Sequence, residues 1–452
     1  MKNSFTASVS SPVSATAGTR RISKLLTIGV SAFVLTTATA TVQAKDAIKI
    51  AVPAFLSGPA AGPFGVPARN GAEMVIDAIN AGKLPEPYNS EGFAGAAAEA
   101  IFIDEAGGNA KQVPEYRNLV QKREVDLVAG YISSGTCAAL APVVEELKRL
   151  TIFATCGTPR VFEEAPRNYI FRSMSHATAD NVAAAHYIRE IFPDAHSYTG
   201  INQNYAWGQD SWRDFDLSMK VLDEEAKASD KLQFPKIFAG QYGTEISALS
   251  LDKSDIVHSS FWGGDLESFI SQANIRGLFK KNKVILTVGG TASYRLGKKM
   301  PDGIILGARG PYGILVRDRD TPLNTWFVNT YKDRYGTYPS GPAYQYAQAI
   351  LTAKYGYDTA MKENGGSFPD QDQVIAAIKG SSFESFSTTV DFALGGGHQA
   401  ITENVYGITK YDSENGEPGV TDVKFYPAKC VMPPDGKTSV EWIEGGMEGA
   451  EC

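Results

Sequence analysis

A chain of 452 residues with 43% hydrophobic residues can bury a large core and is long enough for two or three domains. Of its 43 basic residues four lie in the first 44, where no acidic residue occurs, which leaves 39 basic against 50 acidic residues beyond that point, a net charge of −11. That balance argues against nucleic acid and anionic membrane surfaces as partners.

Arg20, Arg21 and Lys24 precede a mostly apolar run from Leu25 to Leu35, and Val42-Gln43-Ala44 follows. This is the pattern of a secretory signal peptide, with cleavage expected near Ala44 and a periplasmic destination. Thr19-Arg20-Arg21 keeps twin-arginine export open beside ordinary Sec export. No cysteine follows the cleavage site, so no lipid anchor is expected. No other segment reaches transmembrane length.

Ile48, Ile50 and Val52 alternate and predict a first strand. A Gly/Pro-rich loop from Leu56 to Gly65 leads to a helix with Ala72, Val75, Ile76 and Ile79 on one face. Gly82 to Ala96 reads as an irregular surface insertion. A strand over Glu99–Asp104 and a helix over Val113–Lys122 follow. Leu127–Ile132 is a short apolar run; Ser133-Ser134-Gly135-Thr136 breaks it. Leu140, Val143, Leu147 and Leu150 then recur at helical spacing, with Pro142 placed in the first turn. Thr151–Ala154 is the next strand and Thr155-Cys156-Gly157-Thr158 the next loop. The unit is βαβ, so both hydroxyl-rich loops emerge at one carboxyl edge of a parallel sheet. Their hydroxyls, free N–H groups and the helix dipole suit an anion.

Further on, helices are expected over Ala179–Ile191, Asp210–Lys227, Thr325–Tyr335, Ala343–Tyr355 and Asp372–Ile378. Strands are expected over Ser197–Ile201, Asp255–His258, Val284–Val288, Ile304–Leu306 and Thr388–Phe392. Beyond Tyr411 the chain turns polar and Gly/Pro-rich. The four cysteines are Cys137, Cys156, Cys430 and Cys452. Export permits disulfides between neighbours in each pair, and four buried thiols are the alternative. No C-x-x-C occurs and the five histidines are scattered, so neither metal nor cofactor is expected.

The ordered series of these features resembles the type I periplasmic binding proteins of the leucine/isoleucine/valine family. It runs from about Ile48 to about Tyr411: the Ser57-Gly58-Pro59 loop with Phe64, the two hydroxyl loops, Asn204-Tyr205-Ala206-Trp207-Gly208, and Gly397-His398-Gln399. The resemblance implies an α/β fold of two Rossmann-like lobes joined by three hinge crossings. Lobe one would hold residues 45–172 and 307–387; lobe two, residues 173–306 and 388–452, including the tail. It also implies a monomeric receptor that closes on a small-molecule ligand and delivers it to an ABC permease of the inner membrane. A sensor that signals to a membrane receptor is the alternative on the same fold.

The residues implied for the ligand are Ser134 and Thr158, with backbone N–H groups, for a carboxylate, Cys156 in the same loop as Thr158, and Phe64, Trp207 and Trp262 for apolar walls. The alternatives are helix capping for Ser134 and Thr158 and core packing for the three aromatics. His398 is expected to be structural. Family positions that carry an ammonium partner fall on Gly289 and Ala177, so that charge is missing; Asp265 or Glu105 is the possible substitute. These departures favour a hydrophobic or aromatic monocarboxylate without an α-amino group; the alternative is a branched or aromatic amino acid whose ammonium meets Asp265 or a backbone carbonyl. No G-x-S-x-G, H-E-x-x-H or P-loop is present, and an enzyme is not expected.

Overall fold

Burial along β1 (Ala47–Ala54) alternates over its first residues and is continuous from Ile50 onward, as a strand covered on both faces requires. In the computed structural model, which describes residue 45 and residues 47–452, β1 lies between β2 (Ala97–Asp104) and β3 (Leu127–Gly130), parallel to both. β4 (Thr151–Phe153) and β5 (Ile170–Arg172) continue this sheet in parallel. The expected secretory leader, residues 1–44, lies outside the described residues.

The chain then builds a second sheet from β6 (Ser197–Gly200), β7 (Lys227–Ala228), β8 (Ile256–Ser259), β9 (Lys283–Leu286) and β10 (Ile305–Gly307). β11 (Ser382–Glu384), β12 (Thr389–Leu394) and β13 (Gln399–Ile401) return to the first sheet. β14 (Asn404–Asp412) and β15 (Glu417–Tyr426) close the second as an antiparallel edge. The strand orders are β11-β12-β13-β5-β4-β3-β1-β2 and β15-β14-β10-β9-β8-β6-β7. Helices cover the parallel strands, as a sheet buried on both faces requires. The helix Val66–Asn80 buries Ala72, Val75, Ile76 and Ile79 and packs on the long helix Gly341–Glu363. The result is a two-lobed α/β architecture. Among the described residues no helix is long and apolar enough to cross a membrane.

Several local expectations need correction. Thr389–Ile401 hydrogen-bonds into the first sheet, so the third passage between sheets falls between Ile401 and Asn404 rather than at residue 388. Pro142 sits well inside the helix Ser134–Leu147, not in its first turn. The carbonyl it leaves unmet belongs to exposed Ala138, where water can take it. The helix expected from Asp210 starts at Ala206 and so includes Trp207. The tail beyond Tyr411 pairs as β15 and ends in short helices. Both cysteine pairs are bridged, Cys137 to Cys156 and Cys430 to Cys452. His398 is structural: its ring stacks on Phe171 and meets the Ile170 carbonyl at 3.0 Å.

Residues 82–96 are irregular but not a free surface insertion. Phe93 is fully buried against Tyr357, and Tyr88 donates to the Glu384 carbonyl at 2.6 Å. Lys354, buried in the long helix, donates to the Ser90 and Gly92 carbonyls and pairs with Asp358 at 2.6 Å. Asp358 in turn accepts from the Ala94 N–H at 2.9 Å. Removing one member of such a buried pair strands the other. Lys354→Met is therefore expected to lower stability by about 3 kcal/mol and to open residues 82–96 to protease. Chemical denaturation and limited proteolysis check this; a variant as stable and as resistant as the parent would contradict it.

Candidate ligand cleft between the lobes

The loops after β3 and β4 come from the first sheet, and those after β6, β8, β9 and β10 from the second. Their carboxyl ends meet in a cleft, the usual position for a ligand in open parallel sheets. Its walls are Phe64, Ile132, Ser134 and Thr155 from one lobe, and Tyr205, Trp207, Trp262, Val288 and Arg309 from the other side. The lobes stand closed on each other, leaving a cavity of about 10 Å³ between these side chains. That is roughly the room of one water, so a larger molecule enters only when lobes or side chains move.

Four of the sequence-predicted residues meet here. Phe64 and Trp262 face each other across the cleft with ring centroids 5.1 Å apart. Trp262 donates to the Tyr205 hydroxyl at 2.6 Å, and Trp207 to the Ser260 carbonyl at 2.8 Å, so both indoles are held with their polar edges met. Ser134 opens its helix, and its Oγ accepts from the Gly157 and Thr158 N–H groups at 3.1 and 3.2 Å. Its own proton remains for an acceptor in the cleft. Beneath it, buried Glu105 accepts from the Ile132 and Ser133 N–H groups, both at 2.8 Å, and holds the loop. Burial pushes the Glu105 carboxyl up to about 8 against the pull of those donors.

The other three do not face the cleft. Thr158 donates to Asp210 Oδ2 at 2.7 Å, a contact from one lobe to the other. The same carboxylate takes Arg160 at 2.6 Å and Arg213 at 3.2 Å. Thr158 is thus an interlobe tie rather than a carboxylate donor. Cys156 is spent on its bridge to Cys137, and its side chain packs in the core with Tyr131 and Phe153. Asp265 Oδ2 accepts from Gln203 Nε2 at 2.7 Å and the Phe238 N–H at 2.6 Å, so it ties two loops, and Asp265 is not among the residues that line the cleft. Gly289 has no room for a side chain, since a Cβ there would sit 2.7 Å from that of Leu306. Ala177 is buried, its N–H given to the Gly157 carbonyl at 2.7 Å.

Arg309 is the residue that sequence reading missed. It stands just past β10, at the passage back to lobe one, and is 5% exposed. Its Nε meets Asp180 Oδ2 at 3.2 Å, its Nη1 donates to the Thr155 carbonyl at 2.8 Å, and its guanidinium lies 4.2 Å from the Trp207 ring centre. Burial pushes the Asp180 carboxyl up to about 6, while Arg309 and Asn404 pull it back. The only advance signal was an arginine between glycine and alanine neighbours at the end of an apolar strand, Ile304-Ile305-Leu306-Gly307-Ala308-Arg309-Gly310.

A family profile described as periplasmic binding protein matches residues 47–415. A search of curated proteins finds no match. Among solved structures, the chain is similar to a solute-binding protein of an ABC transporter from R. palustris in complex with benzoate, at 18% identity and a TM-score of 0.70, covering 83% of this chain and 96% of that one. A solute-binding protein from Rhodopseudomonas palustris BisB5 in complex with 3,4-dihydroxybenzoic acid gives 18% and 0.71, covering 85% and 98%. A leucine-binding protein from Thermotoga maritima MSB8 gives 18% and 0.67, covering 83% and 98%. At such identity the likeness is one of fold.

The Thr158–Asp210 contact generates a prediction independent of any ligand. Thr158→Ala and Asp210→Asn should each destabilise the protein, and together by less than the sum of the two. The coupling expected for one charge-assisted hydrogen bond is about 1–2 kcal/mol. A double-mutant cycle in urea measures it, and strict additivity would remove the tie.

Proposed function

The chain belongs to the periplasmic binding protein family, and from that premise we propose that it is the solute-binding component of an ABC importer. It closes in the periplasm on a small hydrophobic or aromatic carboxylate and delivers it to an inner-membrane permease. The carrying observation is the cleft itself. Three aromatic side chains, Phe64, Trp207 and Trp262, are held rigidly around a polar floor that includes the Ser134 hydroxyl. Flat apolar walls favour a ring, and a hydroxyl at a helix start favours an acceptor oxygen. Relatives of the same fold bound to benzoate and to 3,4-dihydroxybenzoic acid support an aromatic acid; the leucine-binding relative supports the wider class.

Transport follows from closure. Lobe one supplies Phe64, Ser134 and Thr155, and lobe two supplies Tyr205, Trp207 and Trp262. Only the closed form brings both sets to one solute, so the solute shifts the population toward closure and the permease reads that shape. None of this needs a nucleophile or a metal.

Thermal unfolding tests the reading. Benzoate, 4-hydroxybenzoate and phenylpyruvate should include at least one solute that raises the midpoint; at a hundred times its dissociation constant it adds about 2.7 kcal/mol. Glucose and spermidine should leave it unchanged. Stabilisation by the sugar or the polyamine alone would contradict the assignment.

A further inference from the structure

We propose that Arg309 receives the carboxylate of the bound solute and, by the same positive charge, turns away solutes that carry an α-ammonium. The site then takes aromatic monocarboxylates without an amino group. This rests on the solute-binding reading above and adds to it a residue and a selectivity.

The first observation is an unmet group. Nη2 of Arg309 is buried and has no hydrogen-bond partner, and neither has Oγ1 of Thr155. Both residues line the same cavity between the lobes. A charged N–H shut away from water without an acceptor is unfavourable. An anionic oxygen beside it removes that cost and gains a charge-assisted bond. Ser134, on the same wall, has a hydroxyl proton to give to the second oxygen.

The second is pre-positioning. Nε and Nη1 are already engaged by Asp180 and the Thr155 carbonyl, and the flat face rests on Trp207. The guanidinium is therefore oriented before any solute arrives. The backbone is set for this: Arg309 has φ +60°, a left-handed conformation that side-chain-bearing residues adopt rarely. Gly157 makes room for it, because a Cβ there would come within 2.4 Å of Nη2 and 2.5 Å of the Trp207 ring.

The third is the sign of the surrounding charge. Arg172, fully buried, stands behind the same loop and donates to the Cys156 and Thr158 carbonyls. Burial and the neighbouring Arg309 push its pKa down to about 9. Among the described residues, Asp180 is the one carboxylate within salt-bridge distance of either arginine. Asp180 faces Arg309 through Nε, Glu163 is the carboxylate that acts on Arg172, and Nη2 of Arg309 is left without an acceptor, so a further anion fits there. An ammonium does not: Asp265 and Glu105 are committed to N–H donors, and Gly289 admits no side chain. An ammonium would be buried against Arg309 without a counter-charge.

The test is calorimetric titration of two matched pairs, benzoate with benzamide and phenylpyruvate with phenylalanine, on the mature chain, Arg309→Gln and Arg309→Lys. The parent should prefer the acid over the amide, and the keto acid over the amino acid, by about tenfold or more. Arg309→Gln should lose that preference, with acid binding weakened about tenfold to a hundredfold. Arg309→Lys, which keeps the charge without the fork, should fall between. A folded variant of either kind that retains the parent's preference overturns the anchor. Equal or tighter binding of benzamide or phenylalanine by the parent overturns it too, while leaving a solute-binding protein in place. If the parent binds neither these four nor 4-hydroxybenzoate, the aromatic-carboxylate reading fails and the anchor with it. If Arg309→Gln does not fold, the parent's two pairs and the lysine variant decide.

Discussion

A guanidinium buried between two lobes has to be met on every side, and the junction of this protein is arranged around that requirement. Asp180 meets Arg309 from the helix Ala177–Ile191, Thr155 from the loop after β4, and Trp207 from the start of the helix Ala206–Leu222. These partners come from both lobes, so the arginine is a contact between them as well as a wall of the cleft. Gly157 has no side chain because the guanidinium and the indole already occupy that space. A buried ion pair gives little net stability when desolvation is counted. Its value here is positional: it fixes the guanidinium at the wall of the cleft with Nη2 left unpartnered.

Closure has contacts on both rims. On one, the Gly264 N–H donates to the Pro59 carbonyl at 3.0 Å beside the Phe64–Trp262 pair. On the other, Thr158 and Arg160 reach Asp210 across the lobes. Asp210 is fully buried, so this tie is less screened than a surface ion pair. The cleft lies between two sets of interlobe bonds. Solute affinity thus depends on these rims as well as on the residues that touch the solute.

Much of the fold was legible in the sequence because burial imposes periods. β1 alternates at its start, the helix Val66–Asn80 repeats its apolar residues at three and four, and the βαβ unit from Leu127 to Phe153 sets a helical period between two short apolar runs. The same logic located the cleft loops, since strand ends in a parallel sheet share an edge. Side-chain direction was not legible. Thr158 and Ser134 are both hydroxyls in adjacent loops, yet one is taken by Asp210, 52 residues away, and the other faces the cleft. Asp265 looked free because its partners, Gln203 and the Phe238 backbone, are distant in the chain. Arg309 escaped because an isolated arginine after a strand is ordinarily solvated; only the packing of two lobes makes it buried. The third passage was placed too early because Thr388–Phe392 read as a strand without revealing which sheet it joins, and Gln399–Ile401 did not read as a strand at all.

Enclosure of a small aromatic acid, as proposed, requires motion of the two lobes about their crossings, since the cavity between them has room for about one water. Small-angle X-ray scattering, with and without saturating 4-hydroxybenzoate or whichever acid calorimetry shows to bind, addresses that motion directly. A smaller radius of gyration is expected in the presence of the solute. An unchanged radius at verified saturation would contradict closure as the means of enclosure.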